Sequence, residues 1–171
     1  MLTTQELPHL YRSPAHAARA AKEVHRRYGT RCQTLPPNGP PYLHRLRLTG
    51  APERIRAAVG ATGADDFAEA SDAISEGEAK RFELLGNSAL FPDEPAAQSA
   101  LDAITETFEA SGAVVRCGPS LAAFGLALYA PPGADDAAIR EAAELHPSSI
   151  SPREARARAG VKSGAWLLSC P

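Results

Sequence analysis

The sequence predicts a small α+β protein: a mixed or antiparallel sheet covered by helices, of which a ferredoxin-like arrangement is one form, preceded by an N-terminal helical segment. Three observations carry that expectation. Tyr42–Leu48 and Ala123–Ala130 place apolar side chains at every second position, the period of a half-buried strand. Residues 15–28 and 95–108 place them instead at helical spacing. Alanine supplies 34 of the 171 residues, while Leu, Ile, Val and Phe together supply 32, so the expected core is thin and alanine-rich.

In chain order, Thr3 and Glu6 have capping-box spacing with Leu7 and Leu10 behind them, which reads as a short first helix. Ser13-Pro14 is an N-cap followed by proline at the first helical position. Ala17, Ala21, Val24 and Tyr28 then form one side of a helix that Gly29 stops. Arg19, Lys22 and Arg26 form its other, basic side. Residues 33–41, QTLPPNGPP, hold four prolines and read as a stiff connector. The expected organisation is therefore a helical segment at 1–32, the connector at 33–41, and an α+β domain at 42–171 with a basic C-terminal helix.

Within that domain, Tyr42–Leu48 is a strand with His44, Leu46 and Leu48 on one face. Pro52–Val59 is a short helix and Asp65–Ile74 a second. Arg81–Leu85 reads as a strand, and a helix opening at Pro95 buries Ala97, Leu101, Ile104 and Phe108 and ends at Gly112. Ala113–Cys117 and Ala123–Ala130 are strands, and a helix follows at 135–145. No internal repeat is expected.

The net charge of −2 conceals strong segregation. Residues 1–60 carry ten Lys and Arg against three Asp and Glu; residues 61–145 carry four against sixteen; residues 146–171 carry four against one. Such asymmetry marks either a patch that meets phosphate or surfaces that mate with one another. No apolar run approaches the ~20 residues of a membrane helix, which excludes a helical membrane span. Residues 1–13 lack the basic-then-apolar order of a secretory signal, and three cysteines without a CxxC pair argue against a disulfide framework. A cytoplasmic location with reduced thiols is the expectation.

Ser151-Pro152-Arg153-Glu154 has the capping-box pattern, and the helix it opens runs through Arg153, Arg156 and Arg158 to Gly160. Ala159-Gly160-Val161 followed by Lys162-Ser163-Gly164 resembles the helix-turn-helix of tetracycline-repressor-type regulators. The resemblance implies a recognition helix whose start, at Lys162 and Ser163, meets base edges. The alternative makes Gly160 a plain helix stop and Ala165–Cys170 a closing strand. Arg153, Arg156, Arg158, Lys162 and Ser163, with Arg19, Lys22 and Arg26 on the earlier helix, are thus the candidate nucleic-acid-binding residues.

Enzymatic chemistry has little support. The five histidines show no i,i+4 pair, no G-x-S-x-G is present, and GPSLAAFG at 118–125 lacks the ending of a phosphate loop. No metal and no cofactor are expected. His44, on an otherwise apolar strand face, is a candidate pocket residue. The reading is a small non-enzymatic nucleic-acid-binding or regulatory protein. Its alternatives are an assembly or adaptor subunit with segregated charge, self-association included, and a small enzyme with an unrecognised site.

Overall fold

A computed structural model describes residues 1–61 and 73–160. The chain divides into two compact units, Met1–Glu83 and Leu84–Pro171. The first contains β1 (Thr3–Tyr11), α1 (Pro14–Tyr28), β2 (Arg31–Leu35), β3 (His44–Gly50), α2 (Pro52–Ala61) and α3 (Glu76–Ala79). The boundary falls within β4 (Glu83–Leu85). The second unit continues with α4 (Glu94–Thr107), β5 (Ser111–Arg116), β6 (Phe124–Ala130), α5 (Asp136–Glu144) and α6 (Pro152–Arg158). The fold is α+β, with helices beside a three-stranded sheet in each unit.

In the first unit β3 lies between β1 and β2 and is antiparallel to both. Leu46 and Leu48 of β3 are fully buried among Leu7, Tyr11, Ala17, Ala20, Val24 and Ile55, so α1 and α2 cover one sheet face. Small alanines on the helices let the backbones approach that sheet, and the core is thin as a result. Ser13 Oγ accepts from the His16 backbone N–H at 3.2 Å to start α1. Gly29, at φ 63°, ends α1 in the left-handed region where glycine avoids strain.

The second unit repeats this plan. Its sheet order is β4-β6-β5, again first, third, second. The ladders superpose with a constant shift of 80 residues: Arg31 opposite Thr49 becomes Ser111 opposite Tyr129, and Cys32 opposite Leu48 becomes Gly112 opposite Leu128. Tyr11 opposite His44 likewise becomes Phe91 opposite Phe124. The same shift carries the buried Ala17, Ala20, Val24, Leu46 and Leu48 onto the buried Ala97, Ala100, Ile104, Leu126 and Leu128. After the second helix of each unit, Ile74 bridges Leu10 and Ile150 bridges Leu90, both antiparallel. A serine cap follows each bridge, Ser75 for α3 and Ser151 for α6. The chain is therefore an internal duplication of one βαββα unit, contrary to the expectation of no repeat. A ferredoxin-like sheet would need a fourth strand on the free side of β1 and of β4. Among the described residues a single bridge marks that side in each unit.

Two further expectations need correction. The N-terminal segment at 1–32 does not begin with a helix: Thr3–Tyr11 is a strand. The register along β1 shifts between Glu6 and Leu10. That irregularity puts Leu7, Leu10 and Tyr11 all in the interior, with the spacing of three and four that imitates a helix. Gly112 does not end α4, which stops at Thr107; Gly112 lies in β5, where a Cβ would strike the backbone oxygen of Ala127. Residues 33–41 lie inside the first unit: Gln33–Leu35 belong to β2, and the rest joins β2 to β3. Most of the helix expected over Asp65–Ile74 lies outside the described residues.

Candidate functional site

The helices of each repeat present one face to their sheet and one to solvent, and the solvent faces differ in sign. On α1, Arg19, Lys22 and Arg26 recur at spacings of three and four, all exposed, opposite the buried Ala17, Ala20 and Val24. Exposed Arg54 and Arg56 on α2 extend the basic layer. Glu23 interrupts it. Arg26 donates to Glu23 Oε1 at 2.6 Å and Arg27 to the same oxygen at 2.5 Å. These bonds hold the carboxyl down at about 2. The outward sheet face is largely self-neutralised, with Arg47 paired to Glu6 at 3.0 Å and Arg45 to Glu76 at 3.4 Å.

The same shift of 80 carries Lys22 onto Asp102 and Arg26 onto Glu106, both exposed on α4. Glu94 on α4 and Asp136 and Glu141 on α5 are exposed as well, with Arg140 the basic exception on these two helices. Two copies of one architecture thus present helix layers of opposite charge.

In each repeat a groove lies beside the C-terminal end of the first helix. In the first it is about 490 Å³ and charged, lined by Arg27, Tyr28, Gly29, Glu53, Arg54 and Ala57. In the second it is about 370 Å³ and apolar, with Ile104, Phe108, Ala142, Leu145 and His146 among its walls. Tyr28 and Phe108 are counterparts under the shift. Leu145 is 73% exposed at the rim of the apolar groove.

The other candidate residues are placed less favourably for a common surface. Arg153 and Arg158 are exposed on α6, Arg158 bound to Glu154 at 3.2 Å, while Arg156 is half-buried. The helix has only seven residues. Lys162 and Ser163, and with them the segment resembling a recognition helix, lie outside the described residues. The structure brings Arg19, Lys22 and Arg26 onto one face. The α6 arginines belong to the other unit. Sequence reading missed the acidic counterparts Asp102 and Glu106, because only the repeat register reveals them.

Among the described residues, three polar groups bear on catalytic chemistry. Ser13 Oγ lies 2.5 Å from His16 Nδ1, both residues buried. Arg12 donates to His16 Nε2 at 3.3 Å, which puts the imidazole proton on Nδ1, so the ring cannot take the Ser13 proton. Cys117 lines a pocket of about 290 Å³ with Arg116, Leu121 and Phe124, and burial pushes its thiol pKa up, away from the reactive thiolate. His44 contacts the Leu35 backbone, and burial lowers its pKa. No group of three His, Cys, Asp or Glu that could hold a metal ion occurs among the described residues. No described helix is long and apolar enough to cross a membrane.

In comparisons with protein-family models, curated proteins and solved structures, the chain matches none. Fold and faces define a class: a duplicated α+β protein with oppositely charged helix layers.

Proposed function

We propose that this chain is a non-enzymatic assembly protein whose two helix layers dock oppositely charged protein surfaces. The observation that carries the reading is the reversal of Lys22 and Arg26 to Asp102 and Glu106 at matched positions. Burial keeps the inward positions of the two repeats alike, whereas solvent imposes no sign on the outward ones. A face of like charges repels itself, and that cost is offset when an opposite face covers it. Charge complementarity of this kind sets partner choice and association rate more than raw affinity.

The test is fluorescence anisotropy with two labelled helical peptides, one glutamate-rich and one lysine-rich, at about 50 mM salt, where screening extends over more than ~10 Å. Both peptides bind the native chain. Lys22→Asp with Arg26→Glu loses the acidic peptide and keeps the basic one, and Asp102→Lys with Glu106→Arg does the reverse. Binding of neither peptide, or loss of both with either variant, would refute the reading.

A second reading, nucleic-acid binding, is favoured by the three exposed cations of α1, spread over ~10 Å of helix at 1.5 Å per residue. It requires a labelled duplex to bind with affinity falling by orders of magnitude between about 50 and 200 mM salt. It also requires loss of that binding with Lys22→Asp and Arg26→Glu, with Arg153→Glu reporting any share taken by α6. The acidic layer of the second repeat weighs against this reading, since it repels phosphate.

A further inference from the structure

We infer that the partner of each helix layer is a second copy of this chain, the basic layer of one copy seating on the acidic layer of the other. The inference rests on the docking reading above and names its occupant.

Complementarity of spacing supports it. Lys22 and Arg26 stand four residues apart on α1, and Asp102 and Glu106 four apart on α4, each pair separated by ~6 Å along its axis. Antiparallel packing of α1 against α4 then sets Lys22 against Glu106 and Arg26 against Asp102 together. Both helices bury the same face against the same kind of sheet, so their outward faces stand at matching heights above it. The two surfaces carry opposite charge at the same spacing, so each copy offers both halves of the contact.

Exposed ion pairs alone contribute ~0–1 kcal/mol each, too little to hold two proteins together. The second repeat supplies the missing apolar component. Its groove presents Phe108, Ala142 and the exposed Leu145 between α4 and α5. That apolar surface can cover aliphatic stems from the basic layer of the other copy. Among the described residues the groove of the first repeat is lined instead by Arg27, Glu53 and Arg54. The contact is therefore heterologous, one distinct face on another. It closes into a dimer only when both complementary pairs form at once, and otherwise extends head to tail.

Light scattering on a sizing column with the full chain tests this. At about 50 mM salt the native chain elutes above monomer mass, and raising salt to about 500 mM returns it to monomer, because the Debye length falls to a few ångströms. Lys22→Asp with Arg26→Glu gives a chain acidic at this matched pair of positions in both repeats, and Asp102→Lys with Glu106→Arg a chain basic at it in both. Each variant alone is monomeric at low salt, and an equimolar mixture of the two associates. A native chain that stays monomeric at about 100 μM in low salt overturns the inference. So does a variant that self-associates as well as the native chain, or a mixture that does not associate. The salt jump on the native chain needs no substitution and decides the matter if a variant fails to fold. A monomeric chain that still binds the charged peptides separates the outcomes: the docking reading stands and self-recognition falls.

Discussion

Replacing Tyr11 by phenylalanine isolates one hydroxyl whose effect follows from its surroundings. Tyr11 is fully buried at the end of β1, packed with Leu7, Val24, Leu46 and Leu48, and its hydroxyl has no hydrogen-bond partner among the described residues. A buried polar group left unpaired costs about 1–3 kcal/mol. The second repeat holds Phe91 at the matching position, also fully buried, so the fold accepts the bare ring. Tyr11→Phe is expected to raise the unfolding free energy by about 1–2 kcal/mol at pH 7, within that range. Burial, and secondarily the charge of Cys32, pushes the Tyr11 pKa up to about 12 from 10.0. Because the folded value exceeds the unfolded one, the neutral phenol's contribution is complete below pH 10 and is lost as pH rises from 10 through 12. Two pKa units correspond to about 2.7 kcal/mol. Urea unfolding at pH 7 and at intervals up to pH 11 measures both effects. The native chain loses stability over the alkaline range faster than the variant does. A variant less stable than the native chain at pH 7, or one with the same alkaline slope, would refute the reasoning.

Three other substitutions and conditions have definite outcomes. Gly112→Ala forces a Cβ onto the Ala127 carbonyl and within 3.1 Å of Leu101 and 3.2 Å of Leu128. It should destabilise the second repeat by about 1–3 kcal/mol in chemical unfolding, the usual cost of overpacking. Ser13→Ala removes the cap of α1 and the bond to buried His16. It costs about 1–2 kcal/mol by thermal unfolding, whereas Ser13→Asp, the residue type that caps α4 at Asp93, recovers much of the loss. Glu23 ionises at about 2 through its bonds with Arg26 and then Arg27. Its lowered pKa means that its stabilisation is present above pH 4.5 and is lost as pH falls toward 2. Circular dichroism over that range should show an acid loss of helix that Glu23→Gln diminishes.

Much of the secondary structure was legible locally. Ser13-Pro14 and Ser151 each mark a helix start because a side-chain oxygen meets a backbone N–H three residues on, and Pro95 marks the first turn of α4. Alternation at β3 and β6 identifies half-buried strands because one face of each sheet is buried. Where β1 breaks its alternation between Glu6 and Leu10, the same reasoning misassigned it as a helix. The basic face of α1 was legible from spacing alone, and the structure places its three candidate residues together in the open. Its acidic counterpart was not legible, because Asp102 and Glu106 gain meaning only once α4 is aligned with α1.

The sequence by itself determined where most helices begin, where the alternating strands lie, and that charge is segregated along the chain, since caps and periodicities act within a few residues. Tertiary structure alone decided that the chain is one unit built twice. Strand order and register depend on which distant residues share a buried face, and the resemblance between repeats survives mainly at those buried positions. Leu46 and Leu126 are held alike by the same packing, whereas Arg26 and Glu106 face water, where nothing in the fold fixes their sign.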